Sequence, residues 1–238
     1  MPKSAAGAPA NSPFMGKTVE FIRPDGKRAP GYYAAPPAGG TVPGVVLFEE
    51  WWGVTEHMRE TADRLAGEGF GVLVPDLYRG RTAATGDEAN HLMEGLDFGD
   101  AAEQDGRGAA SFLRGEGAPK VGVMGFCMGG ALALLAAMRD GDFASVVVFY
   151  GFPPAEAGDP ATIRIPVMGH WARDDAFFKI ERVDEMQRAL EAAAVPHEFH
   201  RYDAKHAFYN PGGLGNYHAE HAEAAWKRSV EFFKRTLA

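Results

Sequence analysis

Cysteine is almost absent from this sequence. Cys127 stands alone in 238 residues, so no internal disulfide can form and nothing demands an oxidising compartment. Basic charge is scarce too: 24 Lys and Arg face 32 Asp and Glu, a formal charge of −8. The cations are scattered, which excludes nucleic acid as the expected partner, because phosphate binding needs a basic patch. No apolar run approaches the roughly 20 residues that span a membrane. The opening stretch MPKSAAGAPANSPFMGK lacks a continuous apolar core of the signal-peptide kind. The expectation is a soluble, cytoplasmic protein with a flexible N-terminal arm over 1–16 and a single domain over 17–238. No exposed apolar helix face stands out, so a monomer is expected.

What the chain does have is alternation. Thr18 to Ile22 and Gly31 to Ala35 read as a hairpin around the turn signal Pro24-Asp-Gly. Short apolar runs follow at Gly44, Gly71, Lys120, Ala144 and Ile165, each of the kind buried in a parallel sheet. A last run, His197 to Tyr202, alternates more and suits a sheet edge. Helical patterns lie between them over 55–68, 97–114, 128–139, 179–194 and 216–235, with Thr55 as the N-cap of the first and Gly69 ending it. Residues 79–98 read as irregular loop. Strand and helix in this order predict an α/β fold, a mostly parallel central sheet with helices on both faces.

In such folds ligands gather beyond the C-terminal strand ends. Cys127 sits there, in Gly125-x-Cys127-x-Gly129. That is the nucleophile-elbow pattern with sulfur in place of oxygen. A sharp strand-to-helix turn strains the nucleophile's backbone, and side chains two positions away would collide. The turn also presents the sulfur to the first N–H groups of the next helix, which favours a thiolate, and lets the Met128 N–H serve an oxyanion hole. The plainer alternative is a buried structural cysteine. None of the five serines occupies such a setting.

An elbow nucleophile needs an acid and then a histidine, in that chain order. Asp174 and Asp175 follow the Ile165 run, and the residues alone do not choose between them. His206 follows the last strand, placed to take the thiol proton and later to activate water. His170 and His200 fall inside strand patterns. His218 and His221 are three apart on a helix, a spacing that could share a metal but more often marks a solvated face. Glu50 ends a buried run, where desolvation would raise its pKa.

Glu49-Glu-Trp-Trp-Gly-Val, Val74-Pro-Asp-Leu-Tyr-Arg-Gly, Gly125-Phe-Cys-Met-Gly-Gly and Lys205-His-Ala-Phe together resemble the dienelactone hydrolases. These are small α/β-hydrolases, also called carboxymethylenebutenolidases. The likeness runs over about 17–236. It implies an α/β-hydrolase fold and a Cys127–Asp175–His206 triad, the register of Asp175-Ala-Phe-Phe fitting the family's acid. It implies that Glu50 contacts the thiol and takes its proton when substrate binds, and that Trp51 gives a second oxyanion N–H. Trp51 and Trp52 would wall the pocket, or simply pack in the core. The family's enol lactone carries a carboxylate held by two arginines. Arg79 or Arg81 would be one, whereas Asn210 stands where the other belongs, an amide in place of a charge. The reaction expected is hydrolysis of an enol lactone or activated ester through a thioester on Cys127, with no cofactor and no metal. A general carboxylesterase or thioesterase for neutral substrates is the alternative, and a non-catalytic ligand-binding member a third.

Overall fold

A computed structural model describes residues 15–37, 39–139 and 143–238. Eight strands form one sheet in the order β1-β2-β4-β3-β5-β6-β7-β8. β1 (Lys17–Ile22) and β2 (Arg28–Ala34) make the expected hairpin, and β2 also runs antiparallel to β4 (Gly71–Pro75). β3 (Gly44–Phe48), β4, β5 (Val121–Phe126), β6 (Val146–Phe149), β7 (Val167–Asp174) and β8 (His197–Lys205) are parallel, with β8 at the edge. This is the α/β-hydrolase architecture.

The apolar runs alternate across the sheet because successive strand side chains face opposite sides. Val46 and Phe48 join one core with α4 (Arg107–Gly115), α5 (Met128–Met138) and α6 (Ile180–Ala192). Val45 and Leu47 join the other with α1 (Glu56–Gly67) and α7 (Ala219–Thr236). α5 is buried along nearly its whole length, which explains why its sequence carries no polar face.

One local expectation is corrected, the irregular loop over 79–98. Thr55 is the N-cap residue of α1, but its side chain makes no capping bond. Residues 79–98 are not all loop: α2 (Gly86–Glu94) lies within them, started by a Thr85–Glu88 capping box. The helix expected over 97–114 runs without interruption from 98 to 115, as α3 (Phe98–Asp100), a π-helical stretch Ala101–Gly106 and α4. There Gly106 presses on the Phe48 ring so closely that a Cβ would sit 2.9 Å from Cζ. The arm expected over 1–16 lies outside the described residues up to 14, while Met15 and Gly16 donate backbone N–H bonds to the Asp63 carboxylate.

Candidate active site

The loops after β3, β5, β7 and β8 meet at one end of the sheet. At the end of β5 the chain turns abruptly into α5. Cys127 takes φ 53° and ψ −115° there, a strained conformation for any residue with a side chain. The glycines are sterically required. A Cβ on Gly125 would strike the Gly129 carbonyl, one on Gly129 would strike the carbonyls of Phe48 and Glu49, and one on Gly151 would strike the carbonyl of Cys127 itself.

His206 follows β8 and points back at the elbow. Its Nε2 lies 3.2 Å from Cys127 Sγ, and its Nδ1 lies 2.8 Å from Asp175 Oδ2. A carboxylate only accepts, so Nδ1 carries the proton and Nε2 is the free base. Asp174 ends β7 and is exposed, whereas the Asp175 carboxylate is almost fully buried against His206. Rings of Tyr150, Phe177 and Phe178 surround the imidazole at centroid distances of 5.0, 4.7 and 5.7 Å.

The helix end acts on the thiol through the Met128 N–H, against stronger opposing effects. Burial pushes the Cys127 pKa up strongly, the Glu50 and Asp175 carboxylates add to that, and the Met128 N–H only partly opposes it. The direction of that shift favours the protonated sulfur, and His206 is the base that can take its proton.

Glu50 lies beneath the same cavity and is buried. Desolvation raises its pKa to about 6, moderated by the Asn210 amide, the His206 ring and the Tyr150 hydroxyl. Asn210 Nδ2 donates to Oε2 and the Tyr150 hydroxyl donates to Oε1 at 3.4 Å. Glu50 is thus committed to Asn210 and Tyr150, and the sulfur's hydrogen-bond partner is His206. Asn210, the candidate substrate ligand, holds Glu50 here and does not line the cavity above the sulfur. Its own Oδ1 accepts from Gly212 N at 2.8 Å, which fixes the amide's orientation. Tyr150 is a site residue that the sequence did not flag; its φ of 37° at the end of β6 leaves no mark in the residue types.

A cavity of about 340 Å³ opens above the sulfur. Trp51, Trp52 and Met128 wall it beside Cys127, and α2 roofs it with Asn90 and Met93. The two indoles meet edge-on at 5.0 Å. Neither Arg79 nor Arg81 is among the side chains that line the cavity. The Arg79 guanidinium is bound to Asp105 at 2.9 Å, a carboxylate buried in the π-helical stretch, and to the Asp76 carbonyl. Arg81 Nε donates to the Tyr78 carbonyl of its own turn. Glu50, Cys127 and His206 are the ionisable side chains on the wall, and among the described residues no Lys or Arg lines it.

His218 and His221 stack at 3.8 Å, with His218 Nδ1 accepting the His221 N–H at the start of α7. Among the described residues no group of three His, Cys, Asp or Glu could hold a metal ion, and no helix is long and apolar enough to cross a membrane.

Residues 30–237 match the model of the dienelactone hydrolase family. The chain belongs to that family. A curated relative, protein usf of Aquifex pyrophilus, is 34% identical over 233 residues, covering 94% of this chain and all of that one. A candidate carboxymethylenebutenolidase of Aquifex aeolicus is 31% identical with the same coverage. Among solved structures, a candidate dienelactone hydrolase from Klebsiella pneumoniae superposes with a TM-score of 0.82 at 28% identity, covering 92% of this chain and 99% of that one. The chain is a dienelactone hydrolase-like hydrolase by family. Its cavity wall offers a carboxylate and an imidazole but, among the described residues, no Lys or Arg.

Proposed function

We propose that the chain hydrolyses a carboxylic ester or enol lactone by acyl transfer to the sulfur of Cys127. The observation that carries this is His206 bridging Asp175 and Cys127. As the sulfur attacks the carbonyl carbon, its proton passes to His206 Nε2, and Asp175 stabilises the imidazolium. The N–H groups of Met128 and Trp51 receive the developing oxyanion. The C–O bond then breaks. The leaving oxygen takes the proton from Nε2, and the acyl group stays on sulfur as a thioester. Water gives a proton to Nε2 as it attacks the thioester, the acid leaves, and sulfur recovers its proton from the imidazolium. With burial raising the thiol's pKa, proton transfer to His206 accompanies attack in this reading. No step calls for a cofactor.

A second reading concerns the substrate's charge. A free carboxylate entering the cavity would find Glu50 and, among the described residues, no Lys or Arg, and would forgo a charge-assisted bond. That favours neutral esters and lactones over the anionic lactone that the resemblance implies.

One experiment tests both readings. Paired neutral and carboxylate-bearing phenyl esters are given to the protein and to Cys127→Ala, with mass analysis of the quenched enzyme. The expected result is a thioester adduct on Cys127, no turnover by the alanine variant, and kcat/KM at least about tenfold higher for the neutral member, the size of one lost charge-assisted bond. Turnover by the alanine variant overturns the sulfur mechanism. Preference for the anion overturns the neutral reading alone.

A further inference from the structure

Two cavities meet at one ring. The catalytic cavity of about 340 Å³ has a neighbour of about 240 Å³ between α6 and residues 152–160, and Phe152 and Pro154 line both. The neighbour is floored by Met138, Met186 and Ala189, none of which lines the catalytic cavity. Thioether and methyl surfaces of this sort accept apolar chains of varied shape.

Phe152 is held in place from several sides. It is buried. Its ring stacks on Trp171 at 5.4 Å and 18°, and lies 6.0 Å from Phe178. The Arg182 guanidinium carbon sits 5.1 Å from the ring centroid while its Nη2 donates to the Pro153 carbonyl at 2.9 Å. A ring so clamped cannot swing aside at little cost, because stacking, a cation–π contact and a backbone tether would all have to break.

We propose that Phe152 is a partition that ends the acyl-binding cavity and so sets the length of the acyl chain this site accepts. The inference rests on the ester-hydrolase reading for its chemistry and on the two cavities for its geometry. Short acyl groups fit on the Cys127 side. A longer chain meets the Phe152 ring although methionine-floored space lies beyond it, in a wall that also includes Arg182 and Glu185. With the ring removed the two cavities merge, and each further methylene that finds apolar wall adds about fourfold in affinity.

The test compares p-nitrophenyl acetate, butyrate, octanoate and laurate across four proteins: wild type, Phe152→Ala, Ala189→Phe and the double variant. Ala189 is half-buried on α6, and a ring there fills the second cavity from its far side. The wild type is expected to favour the short esters. Phe152→Ala is expected to raise the octanoate-to-butyrate ratio of kcat/KM by about tenfold or more, the gain of two methylenes. Ala189→Phe alone leaves the ratio unchanged, and in the double variant it cancels the gain. An unchanged ratio in Phe152→Ala, or a gain that Ala189→Phe does not cancel, overturns the proposal. Should the alanine variant fail to fold, Phe152→Leu opens the partition more mildly and must shift the ratio in the same direction. Calorimetric titration of the same proteins with straight-chain carboxamides reads cavity length without turnover. A protein that hydrolyses none of the esters would thus overturn the ester-hydrolase reading, while the carboxamide series still decides on the partition.

Discussion

Asp175 holds His206 with one carboxylate oxygen and its own loop with the other. Oδ2 meets His206 Nδ1 at 2.8 Å, while Oδ1 accepts the backbone N–H groups of Phe177 and Phe178 at 2.8 and 2.9 Å. The carboxylate therefore has no freedom to rotate.

That geometry dictates the outcome of Asp175→Asn. The amide oxygen must face the two backbone donors, so the NH₂ group must face His206 and donate to Nδ1. The imidazole proton moves to Nε2, which can no longer accept from the thiol. We expect kcat to fall by about 10³–10⁴ with a near-native melting temperature. A loss below about tenfold would show that Asp175 does not set the tautomer.

Gly125→Ala tests the elbow. Its Cβ would fall on the Gly129 carbonyl, backbone that cannot move without unwinding the first turn of α5. We expect a loss of about 3 kcal/mol or more in urea unfolding, together with loss of activity. Near-wild-type stability in the alanine variant would mean that the turn relaxes easily and that Cys127 is not held under strain.

Glu50 makes stability depend on pH. Its folded pKa of about 6 lies above the ordinary 4.5. A raised carboxylate contributes its stability below the lower value and loses it as pH rises through the upper one. The window of about 1.5 units corresponds to about 2 kcal/mol. Relative to wild type, Glu50→Gln should therefore gain about that much between a pH below 4.5 and one above 6. Chemical denaturation at the two ends of the window measures it, and parallel stability curves for the two proteins would sink the idea.

The elbow was legible because its constraint is local: Gly125, Cys127 and Gly129 announce a turn that few other residues can make. His206 was legible from chain order. The choice between Asp174 and Asp175 was not, because β7 shifts register against β8 between Ala172 and Asp174, so counting alternate residues along the strand fails there. The pairing of Arg79 with Asp105 is not legible, because the partner lies 26 residues away in a π-helical stretch that no periodicity reveals. α2 carries its signal in the residues: Thr85 and Glu88 have the capping-box spacing. Glu50 was recognised as a buried acid, but its partners Tyr150 and Asn210 come from loops 100 and 160 positions away.

The roof of the cavity comes from a different part of the chain than the elbow. Asn90 and Met93 belong to α2, whereas Cys127 and Met128 follow β5 from within a buried sheet. A change in α2 alters what fits over the sulfur without disturbing the strand that carries it. The scaffold can therefore drift in preference, generation by generation, by rewriting a short surface helix while its chemistry is inherited intact.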